Sequence, residues 1–209
     1  MTSRREQILA TAAELFAARG FHGVSVVDLG AACGISGPAL YRHFTSKDAM
    51  LAEMLVSISE ELLTVGRERV ADSDGPHEAI RSLVSWHIDF ALNNRALIVV
   101  QDRDWASLPD TARSEVRSLQ RKYVELWVEQ LRLIHRGLSA KRARAMAHAT
   151  FGLINSTPHS AMLPSQEMRT MLEQMALAAL GFPTGSAGQL DHSLDGSAAA
   201  PVGRFDSPG

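Results

Sequence analysis

The 209-residue chain has one cysteine, Cys33, so no disulfide can close within it and a fold stapled by disulfides is excluded. It lacks a surplus of positive charge. Its 21 Lys and Arg stand against 23 Asp and Glu, a formal net charge of −2, which excludes a wholly basic nucleic-acid coat. No apolar run approaches the roughly 18–20 residues that cross a bilayer, and the opening MTSRREQILA lacks the apolar stretch of a secretory signal. These absences predict a cytoplasmic protein with no membrane partner. Catalytic signatures are also missing: there is no HExxH, GxSxG, phosphate loop or CxxC, and His148 and His159 are too far apart to share one helical metal face. Neither an enzyme nor a cofactor or metal site is expected. What the chain does have is an apolar content of 45%, enough for a packed core in one or two domains.

Apolar residues recur at helical spacing almost everywhere before position 182, and no convincing alternating strand occurs. The expected fold class is all-α. From Glu6 to Arg19, residues Ile8, Leu9, Ala12, Leu15 and Phe16 share one face, and Gly20 sits where a left-handed cap belongs. Ser25 and Asp28 have the spacing of a capping box and open a second helix that runs to Cys33 and stops at Gly34. Ser36 can cap a third, short helix with Pro38 in its first turn, and Thr45-Ser46 precede a fourth that extends from Lys47 to about Val70. Further helices are expected over about 76–93, 95–105, 109–136, 140–157 and 164–180. The tail from 183 to 209 is rich in Gly, Ser and Pro and is expected to be disordered.

The second and third helices, joined by the tight turn Cys33-Gly34-Ile35-Ser36, form a helix-turn-helix, a motif that presents one exposed helix to the major groove. Around it, Gly20-Phe21, Ser25, Asp28-Leu29, Gly34-Ile35-Ser36, Leu40-Tyr41, His43-Phe44 and Ser46-Lys47 fall in register over about the first 50 residues. In this the chain resembles the TetR/AcrR family of bacterial transcriptional regulators. The resemblance implies a three-helix DNA-binding head over residues 1–46 and a larger helical effector-binding and dimerisation body over 47–182. It implies a repressor that binds a palindromic double-stranded operator as a homodimer, paired through the last two long helices, and leaves it when a small apolar or acyl-CoA-like effector binds.

Carried over position by position, the resemblance makes Ser25, Tyr41, His43 and Lys47 phosphate contacts, gives base reading to Gly37, Pro38 and Arg42, and counts Ser36, which opens their helix, among the DNA-binding residues. Val24, Val27 and Gly37 stand where the family more often has polar or basic residues, so readout is expected to lean on DNA shape. Arg4 and Arg5 read as a solvated terminus.

In the body, Trp86, His87, Phe90, Trp105, Tyr123 and Trp127, with the polar Gln101 and Asn155, are the expected effector contacts, because an apolar pocket needs few hydrogen-bonding groups. Asp89, Asp102, Arg103 and Asp104 are further polar candidates. The ridge Arg113, Arg117 and Arg121 reads first as a solvent face paired with Glu115 and Glu125, and alternatively as a cradle for an anionic ligand. Small and soft residues, among them Ala143, Ala147, Gly152, Met162, Met168, Met171, Met175, Ala176, Ala179 and Leu180, mark the expected dimer helices. The helix beginning at Lys47 belongs to both parts and is expected to carry the effector signal.

Overall fold

The computed structural model describes residues 3–160 and 162–183, and among them the chain is all-helical. The expected tail lies, apart from Pro183, outside the described residues. No described helix is long and apolar enough to cross a membrane.

The local chemistry of the first helices sets their limits. α1 (Arg4–Arg19) opens on a capping box in which Ser3 Oγ accepts from the Glu6 amide and the Glu6 carboxylate accepts from the Ser3 amide, and it ends at Gly20. α2 (Val26–Ala32) opens on the Ser25/Asp28 box, whose hydrogen bonds also hold the Asp28 carboxyl below the usual range. Gly34 then takes φ = 65°, a left-handed turn that a side chain would resist. α3 (Gly37–Leu40) is capped by Ser36, whose Oγ accepts from the Ala39 amide at 3.3 Å.

α4 (Lys47–Ala71) is shared between two cores. Met50, Leu51, Met54 and Leu55 pack with Ile8, Phe16, Leu29, Leu40 and Phe44 beneath the first three helices. Ile58 and Leu63 pack instead into a larger core formed by α5 (Pro76–Asn93), α7 (Asp110–Ile134), α8 (Ala140–Ile154) and α10 (Ser165–Ala179). α6 (Arg95–Asp104), a 3₁₀ turn (Trp105–Ser107) and the start of α7 lie between: Val100, Leu108, Ala112 and Val116 complete the head's core. The head's core thus extends past the expected 46/47 boundary, because the head buries its apolar surface on α4 and on residues far downstream. The helix expected over 140–157 stops at Ile154, and the short α9 (Thr157–Ser160) follows as a separate turn.

α4 and α7 approach closely at Gly66. A Cβ there would stand 2.7 Å from Tyr123 Cε2. Gly66→Ala is expected to cost roughly 1–3 kcal/mol through overpacking against the buried ring, measured by urea denaturation. Equal stability would mean that Tyr123 can swing aside.

Candidate functional site

In the head, a surface has been left unfilled around α3. Tyr41 is 54% exposed, Pro38 and Arg42 are exposed, and Val27 on α2 is 75% exposed. Gly37 leaves space, since a Cβ there would meet only Val26 Cγ1 at 3.9 Å. His43 is half-buried against Phe44, with ring centroids 6.5 Å apart. Ser25 and Ser36 are exposed, and their hydroxyls are engaged as caps. Val24 is buried in the core, so its apolar character is a packing requirement and says nothing about base contacts.

Lys47 has an internal role that the sequence did not signal. Its Nζ donates to the carbonyls of Phe21 at 2.7 Å and Val24 at 2.9 Å and lies 4.3 Å from the Phe21 ring centroid. Two of its three donors thus hold the loop between α1 and α2, which leaves one for a phosphate. Lys47→Ala is expected to lower stability by about 1–3 kcal/mol as well as weaken DNA binding. Tyr41→Ala is expected to weaken binding across all duplex sequences and flatten the salt dependence with stability retained. Thermal melts and salt titrations separate the two, and an unchanged melt for Lys47→Ala would remove the strut. Arg4 and Arg5 are exposed, as expected, but both are tethered to the head. Arg4 Nη2 donates to the Cys33 carbonyl at 2.6 Å, while Arg5 pairs with Glu53, donates to the His43 carbonyl and covers the Phe44 ring at 4.2 Å.

In the body, a cavity of about 220 Å³ opens between five helices. α4 supplies Ile58, Ser59 and Leu62, α5 supplies His87 and Phe90, and α6 supplies Leu97, Ile98, Gln101 and Asp102. α7 adds Gln120, Tyr123 and Val124, and the far wall is His148, Phe151 and Asn155. His87 is stacked on Phe151 at 4.6 Å and near-parallel to Tyr123, and Trp127 meets these rings edge-on. His87 Nε2 lies 3.2 Å from Asn155 Oδ1, and Nδ1 lies 3.3 Å from the Tyr123 hydroxyl. An amide oxygen only accepts, so Nε2 carries the proton and the neutral ring accepts from the phenol through Nδ1. Burial pushes the His87 pKa down to about 4 and the Tyr123 phenol up, so both are uncharged at neutral pH. Burial also raises the Asp102 carboxyl, opposed by nearby His159. The cavity wall is thus mostly apolar, with a hydrogen-bonded chain of neutral groups from Asn155 through His87 to Tyr123 and further polar side chains in Ser59, Gln101, Asp102, Gln120 and His148. Among the described residues no cluster of three or more His, Cys, Asp or Glu could hold a metal.

These two features match known proteins as a pair. Residues 8–54 match the family described as bacterial regulatory proteins, tetR family, and residues 73–159 match the tetracyclin repressor-like C-terminal domain, together more than half of the chain. The chain belongs to the tetR family of bacterial regulatory proteins. The HTH-type transcriptional repressor KstR2 of Rhodococcus jostii is 30% identical over 128 residues, which are 61% of this chain and 63% of that protein. The match thus spans less than two thirds of that relative. A TetR-family regulator of Bordetella parapertussis has the same fold, with a TM-score of 0.77 at 24% identity over 87% of this chain and 96% of that one. AibR, solved with isovaleryl coenzyme A and operator DNA, gives 0.64 at 21% identity over 83% and 97%.

Within the TetR fold of this chain, His87, Phe90, Gln101, Tyr123 and Asn155 of the expected effector residues reach the cavity wall, and the three tryptophans do not. Trp86 is turned to α4, its indole N–H donating to the Leu62 carbonyl at 3.4 Å. Trp105 packs against the head's core with Arg117 over its ring at 5.5 Å. Trp127 is fully buried behind the stacked rings, where its indole N–H has no partner. Asp89 pairs with Arg169 of α10 instead of facing a ligand. The walls from α4 and Gln120, Val124 and His148 were not anticipated. Only the packing of α4 on α7 turns those faces inward.

On the expected dimer helices, Ala143, Ala147, Met168, Ala176 and Leu180 are buried in the chain's own core, and Gly152, Met162, Met171, Met175 and Ala179 are exposed. The small residues therefore divide between two faces. The arginine ridge divides as well: Arg113 donates to the carbonyls of Ala106 and Leu108, and Glu125 pairs with Arg144 of α8. Arg117, Arg121 and Arg144 line a groove that shares Gln120, Val124 and His148 with the cavity.

Proposed function

We propose that this chain is a ligand-responsive transcriptional repressor, not an enzyme, that works in the cytoplasm without a cofactor and leaves a palindromic operator when an effector occupies the α4–α8 cavity. The observation that carries this reading is the pairing, in one chain, of an exposed helix-turn-helix face with an internal cavity that shares α4 and α6 with the head. Tyr41 and His43, Ser25 and the remaining donor of Lys47 would hold phosphates, and Gly37, Pro38 and Arg42 would meet base edges. Pro38 suits a thymine methyl and Arg42 a guanine edge. A homodimer through the exposed strips of α8 and α10 would set two recognition helices about 34–36 Å apart, one turn of DNA.

For the effector we infer an acyl-CoA-like molecule. The cavity suits an apolar acyl arm, and the groove that shares its wall carries Arg117 and Arg121, with Arg144 paired to Glu125, where phosphate oxygens would need cations. The fold is shared with AibR, which was solved with isovaleryl coenzyme A.

The test selects duplexes from a random-sequence library with the purified protein, then challenges the complex with isovaleryl-CoA, free CoA and isovalerate. Palindromic duplexes released by isovaleryl-CoA alone support the reading. Release by isovalerate as well reduces the effector to a small apolar acid. No enrichment of any duplex removes the regulator reading. An effector that binds free and DNA-held forms equally would shift nothing, so release measures differential affinity.

A further inference from the structure

α1 ends at the Gly20 cap, whose amide donates to the Phe16 carbonyl at 2.8 Å. Arg103, at the end of α6, adds donors to this last turn from the other part of the molecule. Its Nη1 donates to the Ala17 carbonyl at 3.0 Å and its Nη2 to the Phe16 carbonyl. The Asp104 carboxylate, 3.1 Å from Nη2 and nearly buried, holds the guanidinium from behind. A forked cation at the negative end of a helix dipole combines fixed planar geometry with charge. Just beyond, His22 Nε2 and Ser107 Oγ lie 2.9 Å apart and add a second link between head and body.

The same ten-residue helix walls the cavity one turn earlier, through Leu97, Ile98, Gln101 and Asp102. Between the two functions Val100 is fully buried in the head's core. α6 therefore cannot yield to an occupant without moving its last turn, and hydrogen bonds as directional as those of Arg103 weaken steeply with misalignment.

We propose that Arg103 is the positioning residue through which an occupant of the cavity acts on the head. In the empty protein it clamps the end of α1 and so orients the recognition face. Displacement of α6 draws it off the Phe16 and Ala17 carbonyls and frees the head. The proposal rests on the reading that the effector occupies the α4–α8 cavity.

The test uses a tethered occupant, so that no effector need be known. In a full-length Cys33→Ser background, Gln101→Cys is labelled with N-phenylmaleimide, and affinity for a duplex selected by the unmodified protein is measured before and after labelling. With Arg103 present, labelling is expected to lower affinity roughly tenfold or more. With Arg103→Met, labelled and unlabelled proteins are expected to agree within roughly twofold, and Arg103→Lys to fall between. The ratio of labelled to unlabelled affinity is the readout, because a merely structural arginine would change the melting temperature and leave that ratio intact. If Arg103→Met melts below the assay temperature, Asp104→Asn, which loosens the guanidinium from behind, is read by the same ratio, which is expected to rise towards one. A full loss of affinity on labelling in the Arg103→Met and Asp104→Asn proteins overturns the clamp and leaves the cavity reading standing. No effect of the label with Arg103 in place overturns the cavity reading and the clamp together.

Discussion

Acidification from pH 6.5 to pH 4 is expected to remove roughly 3 kcal/mol of folding stability through His87 alone, since its pKa falls from 6.5 to about 4 on folding and each unit is worth about 1.4 kcal/mol. The cause is burial: the ring is 3% exposed, packed among Phe151, Tyr123 and Trp127, and its two nitrogens meet only the neutral Tyr123 hydroxyl and Asn155 amide. Over this range the unfolded chain takes up the proton and the folded one does not. The stability is therefore complete above pH 6.5 and drains as pH falls to 4. His87→Gln removes the titration while keeping an amide able to meet Asn155. Urea denaturation of both proteins at several pH values gives the difference in slope, and identical slopes for the two would show that His87 does not titrate on unfolding. In the folded protein the ring stays neutral until about pH 4, so effector affinity should hold above that value and fade only as pH falls through it.

Gly30→Ala is expected to cost roughly 1–3 kcal/mol and to abolish selective duplex binding while leaving the helical content of the body intact. An added Cβ would stand 2.8 Å from the Ile35 carbonyl and 3.3 Å from the Gly37 amide nitrogen. Both are backbone atoms, so no side chain can rotate away. The Ile35 amide also donates to the Gly30 carbonyl at 2.9 Å, which fixes the turn from the other side. The gain of about 1 kcal/mol that alanine normally brings to a helix interior is outweighed by a forced change in the angle between α2 and α3. Circular dichroism reports the body, and a selected duplex reports the head. Retained affinity would mean that the two helices can separate without cost to recognition.

Much of the head was legible because its signals are local. Ser25 and Asp28, three residues apart, satisfy each other's backbone whatever surrounds them, and Gly34 answers a left-handed turn that follows from chain geometry. The exposure of Tyr41 and Arg42 follows in turn from a four-residue helix whose buried side is taken by Leu40. The internal contacts of Lys47 and Arg5 were not legible for the opposite reason. Their acceptors at Phe21, Val24 and His43 are carbonyl oxygens, which every residue carries and which leave no mark in the pattern of side chains.

The body shows the same division. Helical periodicity along the chain marked which side of each helix is apolar, and so the all-α class and the approximate limits of most helices were determined by sequence alone, because caps, breakers and spacing act within a turn or two; the break after Ile154 that sets α9 apart was not. Which apolar side chains face a cavity, and which merely fill the core, was decided by the packing of α4 on α7 at Gly66 and of α6 against two cores at once. Trp86 and His87 are neighbours in the chain, yet one donates to the Leu62 carbonyl on α4 and the other enters the aromatic stack. A rotation of 100° per residue separates them, and only the positions of the surrounding helices give that rotation a meaning.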